Sequence, residues 1–411
     1  MNAKVNMGEQ TEDQAQASVE SAFSPLFVFR APRRKGGKEA TDVLVPWDDI
    51  GLIIEAKSRA REAAGNAQAD SPERVRKKLV KAWRQLEGAA RAIHEGRLSH
   101  MENGLRGRIP FPKEEIKWLY GVIVLDHESA PYDPFEVAPE LQGTTLPLHV
   151  FSLRDFQDLA AILDTPVDLI NYLETRSDVL LSTLKPRVHE EEIVFRFFVD
   201  NLESLTAFRA RKRGASLTEG DARSYAEQLR RLFAGVLPET RAGLVIDHMI
   251  ARAHEQDHSL GPLQVGQEVI EINASEPVKV ATELSAIPRV RRIALGKRYL
   301  RTIQRAAADQ KDAWKSTHST ARGDCMLFLA SPLPNDQRHE RQKRLLAMTE
   351  MLKHYHQVGK AIGVATEAGA DSGRSYDFVY LEGEPITNEA AFQAAKDLFG
   401  EPVGLLTDEP R

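Results

Sequence analysis

Three ionisable residues in the N-terminal part of the chain have a spacing that could support chemistry. Asp42 precedes a short apolar run, and Glu55 and Lys57 end the next one, GLIIEAK. If a turn is centred between Asp48 and Asp49, paired positions have numbers that sum to 97. Asp42 then faces Glu55, with β-carbons roughly 5 Å apart. Lys57 projects from the same face, because side chains alternate along a strand.

Two facing carboxylates repel each other, and like charges at cross-strand positions destabilise a hairpin. Three things could compensate: a divalent cation, a proton shared by the two groups, or the ammonium of Lys57. Two carboxylates and a nearby backbone carbonyl form an oxygen site that suits Mg²⁺ or Mn²⁺ rather than zinc. A metal ion there could polarise a phosphodiester and acidify a bound water, while an ammonium orients that water or neutralises developing charge.

The surrounding patterns predict a compact α/β module that would position these residues. A helix with capping-box spacing begins near Thr11 and is stopped by Pro25, and Pro46 to Asp49 reads as a turn. The other predicted elements are strands over 26–30, 41–45, 51–57 and 118–125, a helix from Pro72 that Gly96 closes, a further strand over 148–153, and helices over 154–163 and 167–176.

An Asp at the head of one strand and Glu-x-Lys on the next, in the order helix, three strands, helix, strand, resembles the PD-(D/E)-x-K nuclease superfamily. The segment GGKEATDVLVPWDDIGLIIEAKSRA is similar to its restriction-endonuclease-like and nuclease-related (NERD-type) members. The resemblance implies an α/β protein with an N-terminal αβββαβ restriction-endonuclease-like core that hydrolyses DNA with Mg²⁺ or Mn²⁺. Thr41 stands where the family name has proline. RNA is not excluded as the substrate.

The resemblance also implies the roles of individual residues. Asp42 and Glu55 would be metal ligands together with the carbonyl of Ala56, and Lys57 would be the catalytic lysine. Without the family context, an Asp after a turn and a Glu-x-Lys on an edge strand could equally be solvent-facing ion pairs.

Two further residues are carried over from helices of the family. Glu20, on the first predicted helix, is the best match to an additional metal ligand, and Glu12 is the fallback. Gln85, in KAWRQLEGA, would join the catalytic set and position the backbone or the water. Ala89 stands where some helicase-associated members have tyrosine, which argues against that subgroup.

The charge balance restricts any nucleic-acid site to a local surface. The chain of 411 residues has 55 Lys and Arg against 60 Asp and Glu, so it is not basic overall. Arg74, Lys78, Lys81 and Gln85 share one face of the predicted helix, a face that could also simply be solvated. The candidate nucleic-acid-binding residues are Arg33, Arg34, Lys35, Lys38, Lys78 and Lys81.

The length predicts two or three domains. We expect a nuclease-like domain over 10–180, a helical connector over 188–262, and a C-terminal α/β domain over 263–411 with strands at 325–329, 361–366 and 376–381. The C-terminal half could hold a second copy of the chain or a partner protein. No run of 18 apolar residues occurs, so we expect a cytoplasmic protein without a membrane segment.

Two alternatives to a nuclease remain open. His254 and His258 form an H-E-x-x-H motif that could bind zinc, although Gly261 and Pro262 end any helix directly after it. A non-catalytic nucleic-acid-binding or scaffold protein could retain the nuclease fold. The single cysteine, Cys325, excludes a disulfide framework and reads as a small buried hydrophobe. The expected biological context of a nuclease is restriction or anti-phage defence.

Overall fold

The computed structural model describes ten ranges of the chain together with Ala138 and Leu141. These ranges are 7–58, 72–126, 146–182, 242–253, 263–265, 268–270, 276–319, 323–369, 374–385 and 389–399. The fold is mixed α/β and forms two compact units, residues 1–238 and 239–411. Most of the predicted helical connector lies outside the described ranges, although residues 242–252 are helical. The three predicted domain boundaries therefore stay predictions.

The first unit contains helices and strands in alternation. Its helices are α1 (Met7–Phe23), α2 (Pro72–His94), α3 (Leu153–Ile162) and α4 (Pro166–Ser182). Its strands are β1 (Phe29–Arg30), β2 (Arg33–Arg34), β3 (Val43–Trp47), β4 (Ile50–Lys57), β5 (Leu98–Asn103), β6 (Gly107–Pro110), β7 (Trp118–Leu125) and β8 (Leu148–Ser152).

A five-stranded sheet in the order β1-β3-β4-β7-β8 forms the middle of this unit. Strands β1, β3 and β4 are antiparallel, whereas β4, β7 and β8 run parallel. Parallel neighbours need a crossover connection, and α2 lies in the one between β4 and β7. The strongly apolar strand over 118–125 is thus interior to the sheet, as its sequence predicts.

Helices pack on both faces of this sheet. Leu44 and Ile53 lie in one buried cluster with Leu79 and Leu86 of α2. The alternate side chains of β3 and β4 face α1, whose Phe23 ring packs edge-on against Trp47 at 6.1 Å. Because of this alternation, Asp42, Glu55 and Lys57 belong to the face that α2 covers.

Several local predictions for this unit were wrong. Helix α1 begins at Met7, and Thr11 is buried within it rather than capping it. The strand expected over 26–30 is reduced to Phe29–Arg30, because the preceding residues form a turn. Pro46 belongs to β3 instead of the turn, and its missing N–H costs no bond to β1, which pairs only as far as Leu44.

A second, three-stranded sheet in the order β2-β5-β6 was not predicted. Its strands β5 and β6 lie between the helix predicted from Pro72 and the strand predicted over 118–125, where the sequence analysis placed no element. Only Leu98 and Met101 of β5 are buried, so the strand lacks the strict alternation that would have revealed it. This sheet holds Arg34 of β2 next to the rest of the unit, through the pair with Leu98.

The second unit has its own sheet. Its elements are β9 (Leu263–Val265), β10 (Glu268–Ile270), α5 (Glu276–Ser285), α6 (Arg289–Asp309), β11 (Ala313–Ser319), β12 (Asp324–Ser331), α7 (Arg338–His356), β13 (Lys360–Glu367), β14 (Tyr376–Glu382) and α8 (Glu389–Phe399). The main sheet has the order β11-β12-β13-β14, with β12 and β13 parallel and α7 connecting them. The three strands predicted here are confirmed, and β11 was missed. None of the helices in the described ranges is long and apolar enough to cross a membrane.

Candidate functional site

The hairpin of β3 and β4 has the predicted register. Val43 pairs with Ile54 and Trp47 with Ile50, so the numbers of each pair sum to 97. The two-residue turn begins with Asp48 in the left-handed region, at φ +53°. Asp has a short polar side chain that tolerates this conformation better than most residues do.

One lysine connects the two acids of this hairpin. Lys57 Nζ lies 2.7 Å from Glu55 Oε2 and 3.5 Å from Asp42 Oδ2. It also donates to the carbonyl oxygen of Ala56 at 3.1 Å, and the amide of Ala56 donates to Asp42 Oδ2 at 2.7 Å. Of the three ways to compensate the facing carboxylates, the structure contains the ammonium of Lys57.

Burial makes the acid pair electrostatically unusual. Glu55 is 0% exposed and Asp42 is 8% exposed. Burial, and then the charge of Asp42, raises the pKa of the Glu55 carboxyl to about 7, against the lowering effects of Lys57 and of the Thr41 hydroxyl. Glu55 Oε1 is buried and has no hydrogen-bond partner in the part of the chain that the structure describes.

Lys57 itself stays positively charged. Its burial lowers the pKa of the ammonium, but the charges of Glu55 and Asp42 outweigh that effect and raise the pKa above its ordinary value. Its side chain is still 16% exposed, so Lys57 is not completely enclosed by the protein.

Two more carboxylates lie close to this cluster. Burial and the charge of Asp42 raise the pKa of Glu12 and of Glu39, while the charge of Lys57 lowers both. Glu12 also accepts a hydrogen bond from Arg30 Nη2 at 3.4 Å. Glu39 was not singled out from the sequence, although its position three residues before Asp42 is a signal that could have drawn attention to it.

Glu20, the first choice for an additional metal ligand, is not brought to the acid pair by any described contact. Its Oε1 accepts a hydrogen bond from Gln16 at 2.7 Å. The fallback, Glu12, interacts with Asp42 and Lys57 instead. Eight residues of helix separate the two glutamates, which is about 12 Å of rise, so both cannot serve one small site equally.

The predicted binding and positioning residues on α2 divide into two groups. Lys81 and Gln85 line an open groove of about 660 Å³ together with Arg34 of β2. Lys78 and the predicted residues Arg33, Lys35 and Lys38 do not line this groove. Gln85 makes no hydrogen bond to Asp42, Glu55 or Lys57, and its Oε1 is buried without a partner among the described residues.

The residues at the acid pair suit a magnesium-type ion in their chemistry. Within the described ranges, no group of three or more His, Cys, Asp and Glu side chains is placed to hold a metal ion. The available donors are the carboxylates of Asp42 and Glu55 and the carbonyl of Ala56, all of which contact Lys57 Nζ. Mg²⁺ is commonly held by one or two carboxylates, with waters and substrate phosphates completing its shell.

Two kinds of candidate from the C-terminal half, the histidines near residue 254 and the single cysteine, are not supported as sites by the described residues. His254 and His258 lie outside the described residues, and the nearby His248 contacts the hydroxyl of Tyr376 through Nδ1 at 3.2 Å. Cys325 is buried, as predicted, and burial raises the pKa of its thiol to about 12. A thiol with such a raised pKa is a poor nucleophile.

Comparison of the chain with models of known protein families, with curated proteins and with solved structures finds no match. The acid pair and its surroundings are therefore the features of the chain that bear on its function.

Proposed function

We propose that the chain is a metal-dependent nuclease that hydrolyses phosphodiester bonds of DNA, with a restriction-endonuclease-like core in its first unit. The observation that carries the proposal is the convergence of Asp42, Glu55, Lys57 and the Ala56 carbonyl at the carboxyl end of β4. If the strands of the three-stranded sheet are left out, the first unit begins α1, β1, β3, β4, α2, β7, an order that supports the proposal. Restriction or anti-phage defence is the context we propose.

A purely structural role accounts less well for this cluster. A buried ion pair stabilises a fold little, because the cost of desolvating the charges offsets their attraction. Burying Glu55 completely and facing it with Asp42 raises its pKa to about 7, which disfavours its charged form. Strongly perturbed ionisable groups of this kind are concentrated at functional sites.

In this proposal Asp42, Glu55 and the carbonyl of Ala56 hold Mg²⁺ or Mn²⁺. Such an ion supplies polarisation of the phosphodiester and a lowered pKa of bound water. Lys57 remains charged, and its ammonium, on a side chain that is 16% exposed, can donate a hydrogen bond to a phosphoryl oxygen that becomes more negative in the transition state. The negative charges of Glu12 and Glu39 favour a cation close to the pair.

The test is cleavage of supercoiled plasmid by the purified chain with Mg²⁺ or Mn²⁺, with an RNA substrate assayed in parallel. We expect Asp42→Asn and Lys57→Met to lower the cleavage rate by about 100-fold or more, the size of effect seen when a preorganised charge is removed. Asp49→Asn is the matched control, because Asp49 lies on the turn of the same hairpin and its ion pair among the described residues is with the exposed Lys117. Wild type that is inert with every divalent ion, or Asp42→Asn that cleaves normally, would overturn the proposal.

One observation favours the second candidate, a non-catalytic binding protein that keeps this fold. The ammonium of Lys57 lies between the two carboxylates, so the acid pair is compensated without any metal. If the chain is such a binding protein, it binds DNA and calorimetry detects no stoichiometric Mn²⁺ binding. Asp42→Asn then changes neither the DNA binding nor the calorimetric titration.

A further inference from the structure

The charged side chains that line the groove on α2 are all positive. Among the residues that the structure describes, five cationic side chains and no carboxylate line it; the five are Arg34, Arg76, Lys77, Lys81 and Arg84. Lys77, Lys81 and Arg84 follow one another at spacings of four and three residues, so they lie along one face of the helix. The first and last of these three are about 10 Å apart along the helix axis.

Three of these five cationic side chains are not neutralised by any carboxylate of the described residues. Arg34, Lys81 and Arg84 have no acidic partner among the residues that the structure describes. Lys77 pairs with Glu73 at 2.8 Å, but both side chains are 72% exposed, so water and salt screen that pair strongly. The groove therefore attracts anions.

Arg34 is placed in the groove by packing rather than by a charged partner. Its Nη2 donates to the carbonyl of Ala40 at 3.5 Å. A β-carbon at Gly88 would lie only 3.3 Å from the same Nη2. The absence of a side chain at Gly88 therefore lets the guanidinium lie against α2.

Two polar atoms of the groove residues are buried and unsatisfied. Arg34 Nε and Gln85 Oε1 have no hydrogen-bond partner within the described ranges. A buried polar atom without a partner costs about 1–3 kcal/mol, so such atoms often mark the place of a ligand. Neither atom is open to solvent as the side chains lie, so both side chains must turn before a phosphate oxygen can accept from Arg34 Nε and another from the NH₂ of the Gln85 amide.

The length of the charged face favours a chain of phosphates over a single one. A nucleic-acid strand carries one charge per about 3.4 Å of helix axis, so about 10 Å of groove corresponds to about three phosphates. Arg34 also contacts the segment of chain that leads into the acid pair, since its Nη2 donates to the carbonyl of Ala40, two residues before Asp42.

We infer that this groove binds the phosphate backbone of a nucleic-acid strand beside the acid pair, and that Gln85 is a binding residue of the groove and not a member of the acid-pair site. The inference depends on the proposed function for the identity of the anion. It does not depend on cleavage.

Binding is measured by fluorescence anisotropy with labelled single-stranded and duplex oligonucleotides in EDTA, so that no metal takes part. We expect the double variant Lys81→Ala/Arg84→Ala to bind at least tenfold more weakly. The slope of log K against log salt should be smaller by about 1.4–1.8, because the variant loses two phosphate contacts and each contributes about 0.7–0.9. Gln85→Ala should weaken binding severalfold without changing the slope, because the amide is uncharged.

Two further variants make the test specific. Gly88→Ala raises helix propensity and crowds Arg34, so it should bind more weakly although the helix is not destabilised. Arg154→Ala is the control for removal of a positive charge, because Arg154 lies on α3 outside the groove and its side chain is 90% exposed. It should bind as wild type does.

The outcomes separate this inference from the proposed function. A groove double variant that binds no more weakly than Arg154→Ala would overturn the inference, and so would wild type that fails to bind either oligonucleotide at low salt. Complete displacement of the oligonucleotide by an equal concentration of inorganic phosphate would identify a small-anion site and would also overturn it. Wild type that binds through the groove but never cleaves would contradict only the nuclease proposal.

Discussion

Replacing Lys57 by methionine removes the ammonium that contacts both Asp42 and Glu55, and leaves two buried carboxylates facing each other. Methionine retains most of the apolar stem, so the change acts mainly on charge. We expect a lower free energy of unfolding for the variant in EDTA at pH 7.5.

The magnitude follows from the two contacts. At an effective dielectric constant of about 20, the Coulomb attraction is about 6 kcal/mol for the 2.7 Å contact to Glu55 and about 5 kcal/mol for the 3.5 Å contact to Asp42. The cost of burying the ammonium offsets much of this attraction. Removal of one partner from a buried pair typically costs 3–5 kcal/mol, and we expect about 3 kcal/mol here because Lys57 is partly exposed.

The assay is urea unfolding followed by tryptophan fluorescence in a Trp314→Phe background. The chain has 4 tryptophans, and the other three, Trp47, Trp83 and Trp118, all belong to the first unit. The fluorescence change then reports on the unit that contains Lys57.

Added Mn²⁺ provides the decisive comparison. If a divalent ion binds where the ammonium now lies, the ion competes with Lys57 in wild type but not in the variant. An ion at about 100 times its Kd stabilises the folded state by about 2.7 kcal/mol, so Mn²⁺ should restore most of the loss in Lys57→Met and should stabilise wild type less. Lys117→Met, at an exposed pair with Asp49, should change the free energy of unfolding by less than about 0.5 kcal/mol.

Two results would refute this reasoning. If Lys57→Met is as stable as wild type in EDTA, the contacts of the ammonium do not hold the acid pair together. If Mn²⁺ stabilises the two proteins equally, or neither of them, a divalent ion does not bind in place of the ammonium.

Two other predictions concern pH and packing. Folding raises the pKa of Glu55 from 4.5 to about 7, so the folded state binds this proton more tightly than the unfolded state does. The free energy of unfolding of the wild type should therefore decrease as the pH rises from about 4.5 to about 7, by at most about 1.4 kcal/mol per pH unit. Urea titrations across this range should show a flatter dependence for Glu55→Gln, and an equally steep one would contradict the assignment of the shift. In the second unit, a β-carbon at Gly363 would meet Thr349 Oγ1 and approach Leu345 to 3.0 Å, so Gly363→Ala should lower the free energy of unfolding by about 1–3 kcal/mol. Gly359 has open space around it, so Gly359→Ala should leave the free energy of unfolding unchanged. Equal shifts of the melting temperature in the two variants would contradict this prediction.

The arrangement of the acid pair could be predicted from sequence because it depends on local rules. A two-residue turn fixes the register, and strand alternation then places Asp42, Glu55 and Lys57 on one face. The apolar strand over 118–125 and the N-terminal signals of α2 were equally local.

The features that were missed depend on contacts between distant parts of the chain. Whether Glu12 or Glu20 approaches the acids depends on how α1 is rotated and shifted against the sheet, which its own sequence does not determine. The groove needs Arg34 to pack on Gly88, and these residues are 54 positions apart. The sequence correctly placed Lys81 and Gln85 on one helix face, but it could not identify which strand would complete that face.

The two-residue turn of the hairpin has a consequence for other chains that contain the same Asp and Glu-x-Lys motif. One residue inserted between Asp48 and Asp49 would shift β3 against β4 by one position and turn Asp42 away from Glu55. Such a protein would contain the same short motif and nearly the same composition, but its lysine would not contact both carboxylates. Length conservation of this turn is therefore a better criterion for grouping related chains than the presence of the acids and the lysine.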